Sequence, residues 1–190
     1  MIKIGILGEI GSGKSHISKI FGYPVFNADE EVAKIYKTDK KIFKKLKKIL
    51  PKYIHKFPVN KDEISKAILE KNSNLKKIIK IVHLEIRKKM SLFLKKNRHK
   101  KIVILDIPLL LENKINKKND VLIFVQSKKS KILSRLKKRK NFNKKLFNKF
   151  KNIQLSLDYK KKKSQFIIKN NFTQKSIEKD IKYILKKIKK

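Results

Sequence analysis

Cysteine is absent from this 190-residue chain, which removes disulfides, thiolate catalysis and cysteine-based metal sites from consideration. No run approaches the roughly 20 consecutive apolar residues that a membrane-spanning helix needs. The opening apolar run, Ile2 to Leu7, reads as a strand and not as a secretory leader. Together these features predict a soluble, cytoplasmic protein with no membrane partner. Glycine is limited to five residues and proline to four, and no stretch rich in Gly, Pro or Ser marks a linker. Carboxylates are also few: 15 Asp and Glu face 54 Lys and Arg, for a net charge of +39.

So basic a chain suggests a nucleic-acid partner, because neutralised phosphates release counterions. The distribution argues against a specific one. Lysines are spread over almost every segment, and only Arg87, Arg98, Arg135 and Arg139 are arginine. The lysine runs therefore read as solvated surface. Where lysine is the default cation, each arginine is a position to explain, since only Arg offers a planar, two-pronged donor. The length suits a single α/β domain, 1–190, with a small insertion. It does not determine the oligomeric state, and a monomer is compatible with it.

Four of the five glycines, Gly5, Gly8, Gly11 and Gly13, fall within nine residues. Gly8-Glu9-Ile10-Gly11-Ser12-Gly13-Lys14-Ser15 fits the phosphate-loop pattern G-x-x-x-x-G-K-[ST] and directly follows the first strand. A backbone wrapping a phosphate takes positive φ angles and brings N–H groups close to the oxygens, which is why the loop needs glycine. Lys14 then reaches the β and γ phosphates, the Ser15 hydroxyl ligates Mg²⁺, and the following helix points its positive end at the anion.

Apolar runs alternate with amphipathic stretches, the pattern of a parallel sheet wrapped by helices. Strands are predicted at Ile2 to Leu7, Tyr23 to Asn27, Lys101 to Ile107, Asp120 to Val125 and Gln165 to Ile168. Helices are predicted at Ser15 to Phe21, Asp29 to Tyr36, Lys40 to Leu50, Asp62 to Glu70, Leu75 to Lys96, Ser130 to Arg139, Asn143 to Leu157 and Gln174 to Ile188. The mostly helical stretch 39–97 reads as a substrate-covering insertion. Residues 135–160, interrupted by a short polar stretch from Lys140, read as a lid.

Several positions carry chemistry. Asp29 follows the second strand, where it either takes a proton from an acceptor hydroxyl or caps the next helix. Asp106 ends the third strand, as a second acidic element holding Mg²⁺ or as a turn carboxylate. Leu109 to Leu111 make either core or an apolar wall for a substrate. Arg135 and Arg139, four apart, share a helix face and suit a triphosphate. His83, four residues before Arg87, contacts substrate or is a partly buried histidine of the long helix.

The order and spacing of these motifs resemble the dephospho-CoA kinases. The family's G-L-T-G-G-I-G-S-G-K-S is matched by Gly5-Ile6-Leu7-Gly8-Glu9-Ile10-Gly11-Ser12-Gly13-Lys14-Ser15, and its I-D-A-D by Phe26-Asn27-Ala28-Asp29. Its H-P-x-I resembles His83-Leu84-Glu85-Ile86, its D-x-P-L-L-x-E resembles Asp106 to Glu112, and its R-x-x-x-R resembles Arg135 to Arg139. Near the end, Gln154, Lys160 and Ile167-Ile168-Lys169-Asn170 look like the family's closing run. Asn27, Lys34, Leu84 and Gln165 depart from the pattern. The resemblance implies a P-loop kinase that moves the γ-phosphate of ATP to the 3′-hydroxyl of dephospho-CoA, with Mg²⁺. It implies ATP binding by Gly8, Gly11, Ser12, Gly13, Lys14, Ser15, Arg135, Arg139 and Asn170, and metal binding by Ser15 and Asp106. Asp29, Lys14 and Arg139 are the implied catalytic residues, and Asp29, His83, Arg87, Leu109 and Glu112 the implied acceptor site. Another small P-loop nucleoside or metabolite kinase, or a basic nucleic-acid-binding ATPase, is the alternative.

Overall fold

A computed structural model describes residues 1–139 and 142–189. Five strands, β1 (Ile2–Gly8), β2 (Val25–Asn27), β3 (Ile102–Asp106), β4 (Val121–Gln126) and β5 (Phe166–Lys169), form one sheet in the order β2-β3-β1-β4-β5. Every pairing is parallel. Parallel strands need covered faces, and their sequences accordingly read as apolar runs rather than alternations. In β3 all five residues, Ile-Val-Ile-Leu-Asp, are buried.

The helices are α1 (Lys14–Ile20), α2 (Ala28–Thr38), α3 (Lys40–Ile49), α4 (Lys61–Glu70), α5 (Asn72–Lys96), α6 (Lys129–Lys137), α7 (Lys144–Asn152), α8 (Leu157–Lys163) and α9 (Gln174–Ile188). The chain divides into two compact units. The first comprises Met1–Asn27, Asn97–Phe142 and Ile153–Lys190; the second comprises Ala28–Lys96 and Asn143–Asn152.

In the first unit, Ile4, Ile6, Ile102, Ile104, Ile123, Val125 and Ile168 pack with Ile17 and Phe21 of α1 and Ile177, Ile181 and Ile184 of α9. Successive strand residues point to opposite faces. Gly5 therefore faces away from that cluster, toward Leu110 and Leu122, and α8 packs along β1 and β4. In the second unit, α5 buries Leu75, Ile78, Val82 and Ile86 at helical spacing and packs against α2, α3 and α4. Asp39 and Asn60 cap α3 and α4, accepting hydrogen bonds from the backbone N–H groups of Ile42 at 2.9 Å and Asp62 at 2.8 Å.

The helix expected over Asn143 to Leu157 stops at Asn152, and α8, a helix not expected from the sequence, begins at Leu157. The Leu155 N–H donates to the Glu112 carboxylate instead of to a helical carbonyl, and the Ser156 hydroxyl accepts from the Tyr159 N–H to start α8. No feature of residues 143–157 alone announces the first of these bonds. Likewise α6 ends at Lys137, so Arg139 follows the last turn rather than extending the face that carries Arg135. The polar stretch beginning at Lys140 lies partly outside the described residues.

Gly5 is required by packing. A Cβ there would lie 2.5 Å from Leu110 Cδ2 and 2.9 Å from Leu122 Cδ2, beside side chains that are 0 % and 5 % exposed. Gly5→Ala is expected to destabilise the protein by about 1–3 kcal/mol, the usual range for overpacking. Chemical denaturation measures this, and an unchanged midpoint would show that Leu110 repacks freely.

Candidate functional site

β1 ends where the sheet can no longer satisfy its backbone, and Gly8 to Lys14 form a loop closed on itself. Gly8, Gly11 and Gly13 have φ of 146°, 86° and 93°. Gly13 is the cap of α1, and a Cβ on it would fall 2.5 Å from Asn170 Nδ2. Alanine fits neither the dihedral nor the space. The Ser12 N–H donates to the Glu9 carbonyl at 3.1 Å. Lys14 folds back over the loop, its Nζ donating to the carbonyls of Gly8 at 3.1 Å and Glu9 at 2.8 Å. A largely buried ammonium is thus held at the loop's centre, while Ser15 is exposed beside it. The first turn of α1 contains no acidic residue to offset its positive end. Glu9 within the loop and His16 directly after Ser15 remove none of these donors.

Asn170, at the carboxyl end of β5, braces the loop from the far side. Its Nδ2 donates to the Ser12 carbonyl at 2.8 Å and its Oδ1 accepts from the Phe172 N–H at 2.7 Å. Ser127, just past β4, donates its hydroxyl to the same Ser12 carbonyl at 3.0 Å. The loop is therefore tied to the ends of two strands distant in sequence. Phe172 has a φ of 68°, and its ring carries the Arg135 guanidinium 4.5 Å from the centroid. Ser130, Lys131, Ser134, Arg135, Asn171 and Phe172 line a hollow of about 390 Å³ beside them. Sequence reasoning passed over Ser127 and Phe172. Scarcity of arginine singled out Arg135, but nothing in the sequence announces its aromatic partner.

At the opposite side of β1, the carboxyl ends of β2 and β3 bring Asn27 and Asp106 into register. Asn27 Nδ2 donates to Asp106 Oδ2 at 2.8 Å, and Asp106 is 3 % exposed. The departure at Asn27 thus places an amide donor, not a second negative charge, against the buried carboxylate. Gln165, another departure, pairs with β4: its Oε1 accepts from the Leu122 N–H at 2.7 Å.

Past β3, Leu110 is core, whereas Leu109 and Leu111 are half-buried. Glu112 is engaged inside the first unit, its Oε1 lying 2.8 Å from Lys160 Nζ and accepting from the Leu155 N–H at 3.0 Å. Arg139 is exposed.

The remaining sequence-predicted residues belong to the second unit. Asp29 is exposed and lies two residues past β2. α2 begins at Ala28, and Asp29 sits within its first turn with Glu30 and Glu31. His83 and Arg87 occur one turn apart on α5. His83 is half-buried, and burial together with Arg87 lowers its pKa below 6.5, favouring a neutral imidazole at pH 7.

Comparison with known proteins follows the same outline. The family model described as dephospho-CoA kinase matches residues 2–176. The dephospho-CoA kinase of Wolbachia pipientis wMel is 32 % identical over 187 residues, which is 96 % of this chain and 95 % of the relative. Among solved structures, TT1252 from Thermus thermophilus superposes with a TM-score of 0.77 at 23 % identity, covering 98 % of this chain and 97 % of the other. Dephospho-CoA kinase from Campylobacter jejuni gives 0.64 at 19 % identity, covering 98 % and 96 %. The two structures share the fold, and the family match together with the full-length sequence identity carries the assignment. This chain belongs to the dephospho-CoA kinase family.

Proposed function

We propose that the protein transfers the γ-phosphate of ATP to the 3′-hydroxyl of dephospho-CoA through the residues described above. The observation that carries this reading is the match to the dephospho-CoA kinase family over residues 2–176, in a chain whose phosphate loop is already closed around Lys14. In this reading, loop N–H groups from Gly8 to Ser15 receive the phosphates, and Lys14 exchanges its carbonyl partners for phosphate oxygens. Asn170 serves the nucleotide indirectly by holding Ser12 and Phe172. The adenine ring fits the hollow beside Arg135, where guanidinium and phenyl ring offer a stacking surface.

Mg²⁺ fits the donors present. Asp106 supplies a buried carboxylate and Ser15 an exposed hydroxyl, both hard oxygen ligands. Among the described residues no group of three or more His, Cys, Asp and Glu could hold a metal alone. That suits a cation kept largely by substrate phosphates and water. When bound, it neutralises charge on the transferring phosphoryl group.

Asp29 accepts the acceptor hydroxyl's proton, and Arg139 approaches the transferring group from the lid region 135–160. His83 and Arg87, in the helical insertion 39–97, and Leu109 bind the acceptor. Positioning and charge stabilisation supply the rate, as is general for phosphoryl transfer.

Dephospho-CoA is expected to stimulate ADP release from ATP, while nucleosides, shikimate-like alcohols and RNA leave it at background. Stimulation by RNA at physiological salt, with none by dephospho-CoA, would replace this reading with the nucleic-acid alternative.

For Asp29→Asn, kcat is expected to fall by about 10² to 10⁴, the usual loss of a general base. Stability should change by no more than the helix-dipole contribution of one carboxylate, about 0.3–1 kcal/mol. A folded variant with near-wild-type kcat removes Asp29 from the chemistry.

Asn27→Asp tests the metal site without turnover. It replaces a 2.8 Å hydrogen bond by two facing carboxylates, so the variant should melt below wild type in EDTA, by ~2–4 °C for each kcal/mol of repulsion. Mg²⁺ should recover most of that difference. Equal melting temperatures of variant and wild type in EDTA would show that the two side chains separate at no cost.

A further inference from the structure

Phe172 is one of two non-glycine residues with positive φ among the described residues, at 68°. A bulky side chain is disfavoured there, because its Cβ crowds the neighbouring carbonyl. The turn nevertheless imposes it. The Asn170 N–H donates to the Gln126 carbonyl at 2.8 Å, continuing the sheet past β5. Asn170 Oδ1 then accepts the Phe172 N–H at 2.7 Å, and Asn171 Oδ1 accepts the Thr173 N–H at 3.0 Å.

The ring stands between two parts of the nucleotide site, all within the first unit. On one side its Cε1 lies 3.6 Å from where a Cβ on Gly13 would be, so it packs toward the phosphate loop. On the other side the Arg135 guanidinium lies 4.5 Å from its centroid. α6, which carries Arg135, is placed by the same neighbours. Its Ile132 and Leu136, each 2 % exposed, cover Gly11, where a Cβ would meet them at 3.0 and 3.1 Å. Lys131, one turn before Arg135, donates from Nζ to the Asn171 carbonyl at 3.1 Å.

Stability explains this arrangement poorly, because an exposed cation–π contact contributes less than a strained left-handed residue costs. Arg135 is exposed in the last turn of α6, and a long side chain in such a place has much rotamer freedom to lose when it engages a ligand. Stacking on Phe172 restricts that freedom in advance.

We propose that Phe172 is a positioning residue for ATP: its ring, imposed at positive φ by Asn170, holds the Arg135 guanidinium at the rim of the hollow of about 390 Å³ before the nucleotide arrives. The base then meets an arginine already ordered, and binding does not have to order it. This role rests on the reading above, in which the hollow takes the adenine. Glycine would suit the dihedral better but would supply no ring.

Dissociation constants for ATP with Mg²⁺ and for inorganic tripolyphosphate, measured by calorimetry with no acceptor present, test the role. Phe172→Leu keeps an apolar side chain but loses the ring, and it is expected to weaken ATP binding about three- to ten-fold. Phe172→Tyr restores the ring and should stay within about two-fold of wild type. Phe172→Gly relieves the backbone, so folding is not at risk, yet it should lose as much ATP affinity as Phe172→Leu. Tripolyphosphate has no base and should bind wild type and each variant alike. In an Arg135→Met background, Phe172→Leu should have no further effect on ATP, because the ring acts through the guanidinium.

Unchanged ATP affinity in Phe172→Leu, an equal loss for tripolyphosphate, or the full loss in the Arg135→Met background overturns the proposal. A wild-type protein that fails to bind ATP overturns the nucleotide reading along with it, whereas ATP bound equally by wild type and Phe172→Leu overturns the role of Phe172 alone.

Discussion

The backbone between Gly8 and Lys14 has left the sheet and has not yet entered a helix, so its polar groups must be satisfied by other means. Much of the first unit answers that constraint. Lys14 takes the carbonyls of Gly8 and Glu9, while Asn170 and Ser127 take the carbonyl of Ser12. These partners come from the same motif and from the ends of β5 and β4, so the loop holds its form only once all three strands are aligned. A loop already held in one form costs little to reorganise when a ligand binds it.

The parallel sheet makes this possible. Every strand delivers its carboxyl end to the same edge, so Gly8, Asn27, Asp106, Gln126 and Lys169 all terminate there. Ligands of open α/β sheets bind at that edge for this reason. The chemical outcome still depends on individual side chains. At β2 and β3 the edge carries an amide donor against a largely buried carboxylate, joined by a 2.8 Å hydrogen bond.

Lysine abundance acquires a different meaning inside the molecule. The buried lysines among the described residues are Lys14 and Lys160, and each is committed to a particular oxygen set. The same side chain that is default surface elsewhere is thus used twice as an internal organiser. A burial cost of several kcal/mol for an isolated ammonium leaves room for nothing less than full partnering.

Local chemistry made part of the site readable. The strand-loop-helix at Gly8 to Ser15 could be read because its glycines, lysine and serine act within a few residues, and Asp106 because an acidic residue closed an apolar run. Asp29 was harder, since a carboxylate after a strand suits either a cap or a base, and its place in the first turn of α2 is compatible with both. The break between α7 and α8 was not read. Ser156, which caps α8, is a local signal for a new helix start, but the bond that holds the Leu155 N–H comes from Glu112, 43 residues away.

By itself the sequence determined the order of the strands and of every helix but α8, the parallel sheet, the phosphate loop and the family, because apolar periodicity, glycine placement and motif spacing are properties of short segments. Tertiary structure alone decided that Asn27 faces Asp106, that Arg135 lies on Phe172, that Asn170 braces Ser12, and that Lys160 meets Glu112. Each of these pairings joins residues far apart in the chain. Its partner is chosen by strand register and helix packing, and neither residue carries that information in its own neighbourhood.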